Sequence, residues 1–246
     1  MTALEPGSFL AQLTPGERAD LEARGRVRAF ERGETMFHEG EESTWVAVLL
    51  TGRVKAFSHR EQGGETLLAV RGPGALLGEV AAIDELPRSA SVATLEAASA
   101  LAVTAEEFMG FLQRHGRVSI LIMRMLCQRW RDADRKRIEF GAFDATGRVA
   151  QRLVELAERF GVPYEPDADP DAPPRANGPA GRDPGGGGHS VLINLNLSQE
   201  ELAGWVGASR EAVSKALRTL RRHGWIETGR RSVIVHDLQA LRRHAR

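Results

Sequence analysis

The sequence holds one cysteine, Cys127, one tyrosine, and only 6% Phe, Trp and Tyr together. A single thiol excludes an internal disulfide and any site built on several thiolates, iron–sulfur clusters included. No apolar stretch reaches the roughly 18 residues of a membrane-spanning helix, so no membrane partner is expected. The opening segment MTALEPGSFLAQL has no basic region ahead of an apolar run and does not read as a secretory signal. The seven histidines lack metal-ligand spacing, so no metal is expected. No nucleophile–base set or Walker loop is visible, and Gly72, Gly74 and Gly78 have the wrong spacing for a dinucleotide fingerprint. An enzyme is not expected, and a cytoplasmic location is.

What is present is a balanced composition with an uneven layout. The chain of 246 residues is long enough for two domains, with 42% hydrophobic and 27% charged residues. Residues 1–116 hold 11 Lys+Arg against 17 Asp+Glu, and residues 117–162 hold 10 against 6. Residues 163–190 hold 2 against 5, and residues 191–246 hold 10 against 5. The cationic excess at the C-terminal end suits a polyanion such as DNA.

Residues 26–103 read as short apolar runs punctuated by glycine: VRAF, ETMF, WVAVLLTGRVKAF, ETLLAV, SASVATL and SALAV. That spacing predicts a β-sandwich or barrel. Thr14–Glu17 is a capping box that starts a helix ahead of the strands, and Thr104–Glu107 opens another behind them. Residues 117–143 form one long helix without proline. Its apolar face, Val118, Leu121, Ile122, Met125, Leu126 and Trp130, needs a partner, so the helix is read as a dimerisation element. A second helix runs from about Thr146 to Phe160, with Val149, Leu153, Leu156 and Phe160 on one face and Gly161 as its stop. Residues 163–190 are then 13 parts in 28 proline or glycine and read as a flexible insert.

NLSQEELAGWVGASREAVSKALRTLRRHGWIE has the form helix, tight turn, helix. Ser198 and Glu201 make a capping box, Gly207 sits in the turn and Ser209 caps the second helix. Ala212, Val213, Ala216, Leu217 and Leu220 form an inward stripe. Arg210, Glu211, Ser214, Lys215 and Arg218 form the outward one. Arginine can donate twice to guanine and glutamate can accept from cytosine, and the start of such a helix enters the major groove. The candidate DNA-contacting residues are therefore Ser198, Ser209, Arg210, Glu211, Ser214, Lys215 and Arg218. WIETGRRSVIVHD adds a hairpin turning at Thr228–Arg231, the shape of a wing.

GEVAAIDELPRSASVA, residues 78–93, sets Glu79 and Arg88 among residues fit for burial. A buried charge is costly unless it is paired or answers a ligand.

With GEVAAIDELPRSA (78–90), FDATGRVAQRLVELAERFG (143–161) and LSQEELAGWVGASREAVSKALRTLRRHG (197–224), the chain resembles the CRP/FNR superfamily of dimeric bacterial transcription regulators. The resemblance covers residues 10–245 apart from the insert. It implies an α+β fold: a cyclic-nucleotide-binding β-roll with flanking helices (1–116), a dimerisation helix (117–143) and a winged helix-turn-helix domain (144–246). It implies a cyclic nucleotide, cAMP or cGMP, as effector. The segment 78–90 matches the family's phosphate-binding cassette: Arg88 and Ser89 toward the phosphate, Glu79 toward the ribose 2′-hydroxyl, with Gly78, Val80, Ala81 and Ala90 lining it. Amides around Ala81–Ala82 match further donors. On the long helix Arg129 matches an arginine near the ligand. Ala133 and Asp134 stand where cAMP-responsive relatives place a threonine and then a serine or asparagine. The implied partners are a palindromic double-stranded operator, with half-sites resembling TGTGA, a second copy of the chain, and RNA polymerase, which some activators touch through the loop that holds the insert.

Two rival readings stay open on sequence. One is an effector-independent DNA-binding regulator with the roll as scaffold, in which Glu79 and Arg88 simply pair. The other is a cyclic-nucleotide-binding signalling module, against which the 197–224 motif argues.

Overall fold

The computed structural model describes residues 4–59, 64–164, 190–194, 197–229 and 231–245. The chain divides into two compact units, 1–134 and 135–246, and the division falls inside one long helix.

In the first unit Thr14 caps α1 (Pro15–Ala23) through a complete box with Glu17. Eight strands follow: β1 (Arg26–Phe30), β2 (Thr35–Phe37), β3 (Trp45–Thr51), β4 (Val54–His59), β5 (Glu65–Arg71), β6 (Leu76–Leu77), β7 (Ser91–Thr94) and β8 (Ala98–Thr104). They build two antiparallel sheets, ordered β1-β8-β3-β6 and β2-β7-β4-β5, with the short α2 (Glu79–Asp84) between β6 and β7. The run WVAVLL is apolar on both faces because β3 is covered on both. Val46 and Val48 join Phe108 and Phe111 of α3 (Ala105–Arg114) and Val118 and Ile122 of α4 (Gly116–Ala142). Ala47 and Leu49 face the other way, into a cluster with Phe37, Val54 and Val92. Two-residue β6, between Gly74 and Gly78, is too short to show a period and was not anticipated.

Two expectations change here. At α3 Thr104 accepts from Glu107 N, but the Glu107 carboxylate takes Arg24 Nη1 at 2.6 Å instead of completing the box. Along α4 the anticipated apolar face is divided. Val118, Leu121 and Ile122 are buried against the roll itself, Met125 and Leu126 pack on the same cluster, and Trp130 is 72% exposed. Ile120 and Met123, outside the anticipated face, are 47% and 56% exposed.

In the second unit Asp144 caps α5 (Ala145–Phe160), which buries Val149, Leu153 and Leu156, with Phe160 half-buried. A sheet ordered β11-β12-β10-β9 follows from β9 (Val162–Pro163), β10 (Val191–Asn194), β11 (Ile226–Thr228) and β12 (Ser232–Val235). Helices α6 (Gln199–Val206), α7 (Arg210–Arg222) and α8 (Leu238–His244) complete it. The insert read at 163–190 needs correction at its ends. Pro163 pairs with Val191 in the β9–β10 ladder, and Tyr164 N donates to Ser190 O at 2.8 Å. Residues 165–189 lie outside the described residues. Among the described residues, no helix is long and apolar enough to cross a membrane.

Candidate ligand cassette and nucleic-acid interface

Gly78 leaves β6 and caps α2 with φ +79°, a conformation that L side chains rarely adopt. A Cβ there would also run into the Arg88 guanidinium and come within 3.2 Å of the Phe37 ring. This close approach packs the cassette around its arginine. Glu79 is 2% exposed and Arg88 5%. The two do not share a hydrogen bond; each is answered elsewhere. Arg88 Nη1 donates to Gly78 O at 2.9 Å and Nη2 to Trp45 O, and the guanidinium lies 4.0 Å over the Phe37 ring. Glu79 pairs with Arg129 of α4, which also donates to Leu76 O at 3.3 Å. Burial pushes the Arg88 pKa down from its ordinary value, opposed by the charges of Glu79 and Glu41. A guanidinium has five N–H donors, so bonds to two carbonyls leave others for an anion.

The first-turn amides of α2 belong to Glu79, Val80 and Ala81. Ala82 N donates back to Gly78 O at 3.4 Å, so of the amides expected at Ala81–Ala82 only that of Ala81 belongs to the first turn. Val80 is half-buried, Ala81 buried, Ser89 exposed and Ala90 half-buried. On α4, one turn beyond Arg129, Ala133 is exposed and Asp134 half-buried. The structure thus brings Gly78, Glu79, Arg88 and Arg129 into one contact set. It adds two residues that sequence reasoning missed, Phe37 and Trp45, whose strands meet Arg88 only through tertiary folding.

In the second unit Ser198 and Ser209 use their hydroxyl oxygens as helix caps, accepting from Glu201 N and Ala212 N at 3.1 Å each. Gly207 closes α6 at φ +61° and sets the tight turn into α7. Val213, Ala216, Leu217 and Leu220 are buried, and Ala212 is half-buried. On the opposite face Arg210, Glu211, Lys215 and Arg218 are exposed and Ser214 is half-buried. Backbone and Ser209 hydrogen bonds at the start of α7 hold the Glu211 carboxyl below its ordinary pKa, so it stays an acceptor. The wing pairs Ile226–Thr228 with Val233–Val235, with Arg231 at φ +62° in its turn; Arg230 lies outside the described residues.

A β-roll with this cassette, joined in one chain to a winged helix-turn-helix, defines a ligand-binding DNA regulator. Residues 27–115 match the cyclic nucleotide-binding domain model, and residues 147–244 match the Crp-like helix-turn-helix domain. A CRP-like cAMP-activated global transcriptional regulator of Mycobacterium tuberculosis is 31% identical over 217 residues, 88% of this chain and 87% of the relative. The cyclic AMP receptor protein of Thermus thermophilus is 28% identical over 214 residues, 87% of this chain and 85% of the relative. Among solved structures, the c-di-GMP responsive regulator CLP of Xanthomonas campestris superimposes with a TM-score of 0.72. It is 20% identical and covers 91% of this chain and 100% of its own. The chain belongs to the CRP/FNR family of cyclic nucleotide-binding transcription regulators, which are not enzymes.

Proposed function

We propose that this chain is a homodimeric, cytoplasmic regulator whose affinity for a palindromic operator is set by a cyclic nucleotide in the roll. The observation that carries the reading is Arg88: a buried cation held by carbonyls and a ring, with no carboxylate bonded to it. A cyclic phosphodiester supplies the single negative charge that such a fork accepts in bidentate fashion. Ser89 and the first amides of α2 add donors to the phosphate, and Gly78, Val80, Ala81 and Ala90 line its seat. Glu79, oriented by Arg129, accepts from the ribose hydroxyl.

The effector proposed first is cAMP, in keeping with the cAMP-activated relative. Its competitor is cGMP, because Ala133 offers no hydroxyl to adenine and an ionised Asp134 matches the paired N1–H and N2–H donors of guanine. Dimerisation is assigned to the exposed stripe Ile120, Met123, Cys127 and Trp130, whose 3-4-3 spacing is that of a two-helix seam. Ligand binding then favours the dimer arrangement that presents both α7 helices to successive major grooves. Contact of the 163–190 segment with RNA polymerase is a further proposed partnership.

Calorimetric titration of the full chain with cAMP and with cGMP, paired with operator binding at saturating ligand, tests the proposal. Binding of one nucleotide that raises operator affinity upholds it. Tight operator binding with no heat from either nucleotide leaves the effector-independent reading.

A further inference from the structure

Where α4 ends and α5 begins, an ionic and aromatic cluster lies wholly within residues 135–246. Arg152 of α5 is 6% exposed. It pairs with Glu139 in the last turns of α4 and with Glu155 one turn along α5. Its guanidinium stands 5.9 Å from the centre of the Trp205 ring in α6, and Lys136 Nζ stands 5.7 Å from the same ring. Gln151 Nε2 donates to Glu139 Oε1 at 2.8 Å, so both oxygens of that carboxylate are bonded. Arg148 adds a second tie: Nη1 donates to Phe143 O at 2.6 Å and Nε to Val206 O at 2.8 Å. One arginine therefore spans the corner and the last residue of α6.

Stability alone does not account for this arrangement. Desolvation offsets most of what a buried ion pair gains, and apolar side chains of the same volume would hold the corner at least as firmly. The cluster even leaves Trp205 Nε1 and Gln151 Oε1 buried without hydrogen-bond partners. What charged forks provide and apolar contacts do not is direction, since each bond fixes an angle as well as a distance.

We infer that Arg152 is a positioning residue that latches the last turns of α4 to α5 and α6. The connection at Phe143 and Asp144 then cannot act as a loose joint. A rotation of α4 reaches α6 through Glu139, Arg152 and Trp205, and from α6 it passes to α7. The inference rests on the proposed reading that α4 carries the ligand signal, and its test separates the two.

The test uses the full chain and two readouts. One is the ratio of operator affinities with and without saturating cAMP. The other is amide exchange across residues 135–142. Glu139→Gln is the milder substitution, because it keeps the shape and leaves Arg152 paired with Glu155. It should lower the affinity ratio about fivefold or more, within the range of ordinary allosteric couplings. Affinity for cAMP should stay within about twofold, and residues 135–142 should exchange faster. Arg152→Lys, which keeps the charge and loses the fork, should fall between the wild type and Arg152→Gln. An unchanged ratio in Glu139→Gln overturns the inference, whether or not exchange quickens. If the wild-type protein shows no ligand dependence, the effector reading fails and exchange decides alone. Lost protection at 135–142 in Glu139→Gln then upholds the latch, and retained protection overturns it.

Discussion

Arg88 concentrates the argument at the scale of single residues. Arg88→Ala should lower cyclic nucleotide affinity by about 3 kcal/mol, the upper range for a charge-assisted bond. Arg88→Lys should recover only part, since an ammonium cannot repeat the fork. Calorimetry with both variants reads the effect, and melting curves show whether the dimer stays folded. Asp134→Ala should lower the cGMP-to-cAMP affinity ratio; an unaltered ratio removes Asp134 from base recognition. In the second unit Arg210→Ala should cost roughly 1–3 kcal/mol of operator affinity and relax one guanine position, read by binding-site selection. The identities of these residues were legible in the sequence because each breaks its surroundings: a charge among alanines, an Arg-Glu pair on the outward stripe. Their partners were not. That Glu79 meets Arg129, and Arg88 meets carbonyls and Phe37, depends on how distant strands and helices come together, for which no local pattern exists.

At the scale of elements, capping boxes and periodicity carried most of the reading. Helices α1, α6 and α7 begin where the caps Thr14, Ser198 and Ser209 placed them. Helix α5, expected from about Thr146, begins at Ala145 behind a cap, Asp144, that was not anticipated. Periodicity failed on α4, whose apolar residues serve two customers: the roll and an open stripe. A stripe count along one helix cannot divide them. The start of α4 is also tied to α1, where Arg117 Nε donates to Glu17 Oε1 at 2.8 Å. The Arg117 guanidinium, against the opposing effect of burial, holds the Glu17 carboxyl down from 4.5 to about 2, with Thr14 contributing. A carboxyl lowered on folding adds stability that is complete above its ordinary pKa and is lost as pH falls through the folded value. Glu17→Gln should therefore reduce thermal stability at neutral pH. The gap to wild type should close between about pH 4.5 and 2, as followed by melting curves across that range.

For the whole molecule, the open stripe on α4 makes assembly testable. Trp130→Glu places a charge at the C-terminal end of the proposed seam, on its 72% exposed tryptophan, and should shift sedimentation toward monomer with the roll still folded. The ladder that ends at Tyr164 and Ser190 makes a second forecast. Removing residues 166–187 leaves three residues to close a hairpin, a common loop length. Melting temperature and operator affinity should change little, because the β9–β10 pairing supplies its own closure. Composition flagged this segment, yet the pairing of its ends was hidden, since a two-residue strand containing proline shows no strand pattern.

The two carbonyls that hold Arg88 also bear on how quickly such a regulator could reset. A cation stranded in a closed cavity raises the barrier to losing its counter-ion, because departure leaves a bare charge behind. Here Gly78 O and Trp45 O, with the Phe37 ring beside them, already answer the guanidinium without an anion. Departure of a phosphate then exposes no naked charge, which favours a short residence time. A sensor built this way follows a falling concentration promptly, at the cost of the tightest grip.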